Sequence, residues 1–183
     1  MMHSDNWALK AKQLGYRSRA VFKLEEILKK TRTKRFKNVL DLGSSPGAWS
    51  QFIVKKNSNA NVYALDILDM EPIEGVSFFK KNLEQINNIP QILKLKGDFN
   101  LVISDIAPNL SGIKSVDNEN IFDLNKLTVN IALNFLCKGG TLIMKTFQNS
   151  FLKTLRKDME LSFKIVQTYK PAASKKQSGE IYL

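Results

Sequence analysis

The sequence predicts a single α/β domain built on a doubly wound, mainly parallel sheet. Short apolar runs alternate with segments whose apolar residues recur at helical spacing, the pattern of strands joined by crossover helices. The first apolar run ends in a glycine-containing turn that opens a helix, the place where doubly wound sheets bind ligands. The last two runs are joined by a loop too short for a crossover helix (170–179), so they should form an antiparallel hairpin.

Each element follows in order. Ser18 can cap a helix with apolar positions Ala20, Val21, Leu24, Ile27 and Leu28. NVLDLG (38–43) is a buried strand, and Pro46 opens a helix through Trp49, Phe52 and Ile53, because the first helical turn tolerates proline. NVYALD (61–66) and VSFF (76–79) are the second and third strands, with a helix expected over 84–94. FNLVISD (99–105) is the fourth strand. A long helix over 118–137 carries the stripe Ile121, Leu124, Leu127, Ile131 and Phe135, and Gly139-Gly140 stops it. TLIMKTF (141–147), a helix around Phe151, Leu155 and Met159, FKIVQTY (163–169) and EIYL (180–183) complete seven strands.

Bulk properties narrow the class. Hydrophobic residues make up 43 % of 183, enough for one substantial core. No apolar run approaches the ~20 residues that span a bilayer, and the first residues do not read as a signal peptide. A soluble cytoplasmic protein without membrane contact is expected, with a monomer as the default. Cys137 is the only cysteine, which excludes an intrachain disulfide and a cysteine-based metal cluster; no metal site is expected. It lies in an apolar stretch and reads as a buried helical thiol. The net charge is +11, and residues 1–37 carry +8 of it, with 11 Lys/Arg against Asp5, Glu25 and Glu26. Charge gathered at one end reads as a docking surface for a polyanion, against a merely solubilising helix face.

The turn after the first strand is Asp41-Leu-Gly43-Ser-Ser-Pro46-Gly47-Ala-Trp49. A dinucleotide site would show G-x-G-x-x-G, which brings a pyrophosphate onto the helix N-terminus. Here an acid precedes the glycine instead. A carboxylate in that position repels a pyrophosphate but attracts the ammonium or sulfonium of S-adenosylmethionine. Asp66 ends the second strand, where an acid can accept both hydroxyls of an adenosine ribose. A mainly parallel sheet with one late reversed strand and this turn is the layout of the Rossmann-like S-adenosylmethionine methyltransferases.

Methyl transfer from a sulfonium is an in-line displacement, so the acceptor must be aligned and relieved of its proton. The fourth strand ends in Ser104-Asp105-Ile106-Ala107-Pro108-Asn109, without the Pro-Pro-aromatic run on which a flipped base would stack. Base amines are therefore disfavoured. Cytosine C5 chemistry needs a nucleophilic cysteine, and Cys137 is not placed for it. A ribose hydroxyl needs a base. Lys145 stands in an otherwise apolar strand, which is costly unless its ammonium reaches the strand's end or a partner. Asp105 on the neighbouring strand is that partner, and the residues alone leave a catalytic lysine and a structural Lys–Asp pair both open.

Five stretches together resemble the FtsJ-type ribose 2′-O-methyltransferases: 15–24 (GYRSRAVFKL), 41–51, 104–112, 143–148 and 178–182. The resemblance spans nearly the whole chain in the family's order. It implies a catalytic Lys-Asp-Lys-Glu set at Lys23, Asp105, Lys145 and Glu180, with Lys145 as proton acceptor and the others positioning and tuning it. It implies cofactor contacts at Gly43, Pro46, Gly47, Trp49, Asp66 and Asp105, with Asp41 near the amino-acid end. Where the family usually has Asp after the third strand, to accept from the adenine amino group, this chain has Asn82, whose side-chain oxygen can accept the same bond.

The resemblance also implies the substrate. The GYRSRA wording is most similar to the branch that methylates a uridine in the A-loop of large-subunit ribosomal RNA. The transfer RNA anticodon loop and a non-catalytic RNA-binding or ribosome assembly role are the alternatives. Within the basic segment, about 1–37, Lys10, Lys12, Arg17, Arg19, Arg32, Lys34 and Arg35 are the expected RNA contacts. Lys170, Lys175 and Lys176 would close over the RNA beside Glu180.

Overall fold

The computed structural model describes residues 2–33, 36–175 and 177–183. Lys34, Arg35 and Lys176, expected to contact RNA, lie outside the described residues. The strands are β1 (Asn38–Leu42), β2 (Asn61–Asp66), β3 (Val76–Lys80), β4 (Phe99–Ser104), β5 (Leu136–Phe147) and β6 (Glu180–Tyr182). They form one sheet in the order β3-β2-β1-β4-β5-β6, parallel throughout except for β6, which runs antiparallel to β5. The helices are α1 (Met2–Gln13), α2 (Ala20–Lys30), α3 (Ala48–Lys56), α4 (Pro90–Leu93), α5 (Lys114–Phe135) and α6 (Leu152–Glu160).

Strand periodicity divides the core in two. Val39, Leu101 and Ile103 face one side of the sheet, where Val21, Leu24 and Ile27 of α2 and Phe52 and Ile53 of α3 cover them. Leu40, Leu42 and Val102 face the other, against Val129, Ala132 and Phe135 of α5 and Leu155 and Met159 of α6. Both faces are covered, as a parallel sheet requires. Among the described residues no helix is long and apolar enough to cross a membrane.

The structure departs from expectation at several elements. Among the described residues the sheet has six strands, not seven: residues 163–169 make a single antiparallel bridge, Tyr169 to Tyr182. β6 is only three residues long, too short to template a further strand. The segment instead turns toward α6, where Arg156 donates to the Val166 carbonyl (3.1 Å) and to the Thr168 hydroxyl. The helix expected over 84–94 is broken into a 3-10 turn (Leu83–Asn88) and α4, because the residue before Pro90 is driven to extended backbone (Ile89 φ −112°, ψ 98°). Pro46 stands outside α3, whose N-cap is Gly47 at φ 102°. Cys137 lies on β5, half-buried, and not in a helix. α1 was not expected from its weak apolar pattern. It is held by buried Ala11 and by Trp7, whose ring lies tilted against Phe22 with centroids 5.0 Å apart.

Candidate active site

The chemistry-bearing residues converge at the carboxyl edge of the sheet. β1 ends just before Gly43, β2 ends at Asp66, and β4 ends one residue before Asp105. In the parallel pairing Ser104 lies opposite Met144, so Lys145 emerges beside Asp105. Because β6 is reversed, its first residue comes to this same edge: Glu180 pairs with Phe147 and Tyr182 with Lys145. Glu180 and Tyr182, two apart on one strand, share a face with Lys145.

Two ion pairs result. The Lys145 Nζ lies 3.3 Å from Asp105 Oδ1 and donates to the Asp105 carbonyl. The Lys23 Nζ, brought by α2, lies 2.7 Å from Glu180 Oε1 and is only 8 % exposed. Tyr182, fully buried, joins the pairs: its hydroxyl donates to Asp105 Oδ1 at 2.7 Å and lies 3.3 Å from Glu180 Oε1. Its ring faces the Lys23 ammonium (5.8 Å) and Trp49 (5.9 Å). Burial and the two neighbouring carboxylates push the Tyr182 phenol far above its ordinary pKa, so it stays a donor. Burial works against the Glu180 carboxylate, but Lys23, the Ser174 hydroxyl and the charge of Lys145 outweigh it, and its pKa falls below the usual value. All four residues of the expected set therefore stand in one network. Tyr182 was missed, although it lies two residues after Glu180 on the same strand face.

A second buried contact fixes the lysine's backbone. Asn125 of α5 donates to the Lys145 carbonyl (3.0 Å) and accepts from the Thr146 hydroxyl (2.6 Å). Beyond the end of β4 no strand partner remains on that side, and the Asn125 side chain supplies one. The buried face of α5 accordingly runs through Asn125 and Thr128, while Leu124 and Leu127 are only partly buried. A polar residue at helical spacing within an apolar stripe was the available clue.

The turn after β1 has the form of a cradle. Gly43 adopts φ 71° and approaches so closely that a Cβ there would sit 2.6 Å from Ile106. At Gly47 a Cβ would meet Ile73 and Met70 at 2.7 and 2.9 Å. The Ser45–Pro46 peptide is cis. Asp66, buried, accepts from the Ser45 and Leu68 amides, both at 2.8 Å. Asp41 is 1 % exposed and accepts from the Ser50 hydroxyl at 2.6 Å. Burial, with smaller contributions from Asp105 and Asp66, raises its pKa to about 7 against the hydrogen bonds from Ser50. Among the described residues, two buried hydroxyls, Ser44 Oγ at this turn and Ser104 Oγ at the end of β4, lack a hydrogen-bond partner. Orphaned polar atoms beside a glycine cradle and carboxylates suit a ligand with hydroxyl, carboxylate and ammonium groups. The donor set therefore fits S-adenosylmethionine.

Other expected contacts have structural partners. Trp49 lies in the core, its indole N–H donating to the Ala20 carbonyl (2.7 Å). Asn82 caps the 3-10 turn, accepting from the Glu84 amide, and retains a second lone pair on that oxygen. Lys12 and Arg32 are exposed, and Arg19 is half-buried. Lys10 lies 5.4 and 5.1 Å from the rings of Trp7 and Phe22. Lys170 donates to the Ser178 carbonyl, bracing its own loop. Lys175 is exposed. Arg17 donates to three backbone carbonyls, those of Pro46, Glu71 and Pro72.

A doubly wound sheet of this order, with a glycine cradle after β1 and a lysine–carboxylate network at its carboxyl edge, defines a Rossmann-like methyltransferase. The chain belongs to the FtsJ-like methyltransferase family, whose sequence model matches residues 16–183. It is 39 % identical over 183 residues to the ribosomal RNA large subunit methyltransferase E of Wigglesworthia glossinidia brevipalpis, covering 99 % of this chain and 90 % of that one. A protein of the same name from Methanocella arvoryzae is 38 % identical over 180 residues, covering 98 % of this chain and 70 % of that one. Among solved structures, a ribosomal RNA methyltransferase from Plasmodium falciparum superposes with a TM-score of 0.79 at 29 % identity, covering 91 % of this chain and 95 % of that one.

Proposed function

We propose that this protein methylates a ribose 2′-hydroxyl in large-subunit ribosomal RNA, with S-adenosylmethionine as methyl donor. The observation that carries the reading is the junction of Lys145–Asp105 with Lys23–Glu180 through the Tyr182 hydroxyl. Bound in the cradle, the cofactor supplies a methyl group on a sulfonium. Gly43 and Gly47 would admit its close approach to the backbone, and Asp66 would hold its ribose, Asp41 its amino-acid portion and Asn82 its adenine.

The chain's own residues provide the rest. A ribose hydroxyl is a weak nucleophile until its proton has somewhere to go. Lys145 receives that proton at Nζ. Asp105 holds the Nζ in place through both its carboxylate and its backbone carbonyl, and stabilises the ammonium that forms. Tyr182 keeps Asp105 oriented by occupying one carboxylate oxygen. Lys23 neutralises Glu180, and Lys145 gives up its own proton to solvent before it takes the one from the hydroxyl.

The large ribosomal subunit as target rests on the relatives' names, and the A-loop uridine on the motif resemblance. The basic N-terminal segment supplies the RNA grip, with Lys10, Lys12, Arg19 and Arg32 as phosphate contacts. Incubation with methyl-labelled cofactor and, separately, large-subunit particles, protein-free ribosomal RNA and transfer RNA tests the target. Label should enter large-subunit RNA; label confined to transfer RNA overturns it.

A further inference from the structure

We infer that Arg17 is a positioning residue for the cofactor site, clamping together the two loops that form its rim. The inference rests on the cofactor reading above. Arg17 lies in the connection between α1 and α2, within the segment whose charge otherwise suggests RNA contact. Its guanidinium is committed elsewhere. Nη1 donates to the Pro46 carbonyl at 2.9 Å and to the Glu71 carbonyl at 2.7 Å, and Nη2 donates to the Pro72 carbonyl at 2.8 Å. Both hydrogens of Nη1 and one of Nη2 are thus spent, which removes the end-on Nη1–Nη2 fork that would grip a phosphate.

The carbonyls belong to the two loops that matter. Pro46 is in the glycine cradle after β1, and Glu71-Pro72 follow Asp66 at the end of β2. The loops touch elsewhere: Ser45 donates through its amide to Asp66 and through its hydroxyl to the Asp69 carbonyl (3.0 Å). Ile73 and Met70 crowd Gly47, and the Arg17 Nη1 stands 3.1 Å from the position of a Cβ there. The backbone that carries Arg17 is itself fixed to α3, because Gln51 accepts from the Arg17 amide (3.2 Å) and donates to the Gly15 carbonyl (2.8 Å). One planar cation therefore closes a ring through the connection, the cradle and the second loop. Only arginine spreads its donors over a fixed plane; a lysine ammonium gathers its three on one nitrogen at the end of a flexible stem. Pro46, Glu71 and Pro72 are exposed, so without the clamp water satisfies their carbonyls. What is lost is the order of the rim, not the fold.

The test compares wild type, Arg17→Gln and Arg17→Lys in the full chain. Calorimetry with S-adenosylmethionine measures cofactor binding, protein-free large-subunit RNA measures RNA binding across a salt series, and steady-state kinetics separate kcat from KM. The expected result is a roughly tenfold rise in cofactor Kd and KM for Arg17→Gln. Arg17→Lys should show most of that rise despite keeping the charge. The kcat at saturating cofactor, the RNA affinity with its salt slope and the Tm should stay near wild type. RNA affinity that falls in Arg17→Gln and recovers in Arg17→Lys, with cofactor Kd unchanged, makes Arg17 a phosphate contact and overturns the inference. A lowered Tm without a change in cofactor Kd also overturns it. Wild type that fails to bind the cofactor removes the cofactor reading together with this one, whereas wild-type binding with unaltered variants removes this one alone.

Discussion

Replacing Asp41 by Asn is expected to flatten the pH dependence of stability across neutrality. The carboxyl is sealed between β1 and α3, and burial, with Asp105 and Asp66 adding to it, carries its pKa from 3.8 to about 7. The folded protein therefore holds a proton that the unfolded chain releases above pH 3.8. The stability tied to that proton is complete below pH 3.8 and is lost as pH rises through about 7. At about 1.36 kcal/mol per pH unit the whole interval is worth about 4 kcal/mol, and roughly 2 kcal/mol of it falls between about pH 5 and 7. Asn cannot ionise, and it keeps an oxygen to accept from Ser50. Urea unfolding of both proteins from about pH 5 to 8 should show the variant gaining roughly 3 kcal/mol on wild type. Parallel curves would mean that Asp41 carries its charge throughout, and the account of this carboxylate would fail.

Three further substitutions address the network. Lys145→Ala should abolish methyl transfer, by at least about a hundredfold, while calorimetry still detects cofactor binding; an active variant removes Lys145 as proton acceptor. Tyr182→Phe deletes the hydroxyl that holds Asp105, a hydrogen bond to a charged group worth about 1.5–3 kcal/mol. Its kcat should fall roughly tenfold or more with the fold retained by circular dichroism, and an unchanged kcat would detach Tyr182 from the chemistry. Glu180→Gln leaves the Lys23 ammonium buried without its counter-charge and should cost about 3 kcal/mol at neutral pH. The Glu180 pKa is depressed, so its contribution is present above the ordinary glutamate range and disappears as pH falls through the lowered value. Denaturation curves of the two proteins should converge in acid, and a gap that persists there would contradict the ion pair as its source.

What the sequence made legible follows from the range of each interaction. Strand-to-helix alternation is local, so all six strands and the helices α2, α3, α5 and α6 could be placed from the sequence pattern alone. The cradle was readable for the same reason, since D-x-G-x-x-P-G is contiguous. Lys145 was detectable as a charge inside an apolar strand. Lys23 and Glu180 were not, because each looks ordinary on its own element and gains meaning only when reversed β6 sets Glu180 against α2; the family resemblance supplied them. Residues 163–169 have strand composition, but strand formation needs a partner edge, and β6 offers one bridge. Arg17 shows the limit of counting charge. A basic segment predicts a polyanion partner, but whether one guanidinium faces phosphate or a ring of carbonyls depends on loops 29 to 55 residues away in sequence.

The central claim, transfer to a ribose 2′-oxygen, is tested most directly by where the label resides. Large-subunit RNA methylated by this protein with labelled cofactor is digested to nucleosides and separated. The account predicts that the label is recovered as a 2′-O-methylated nucleoside and is absent when Lys145→Ala is used. Label carried on a base, with unmodified ribose, would contradict it.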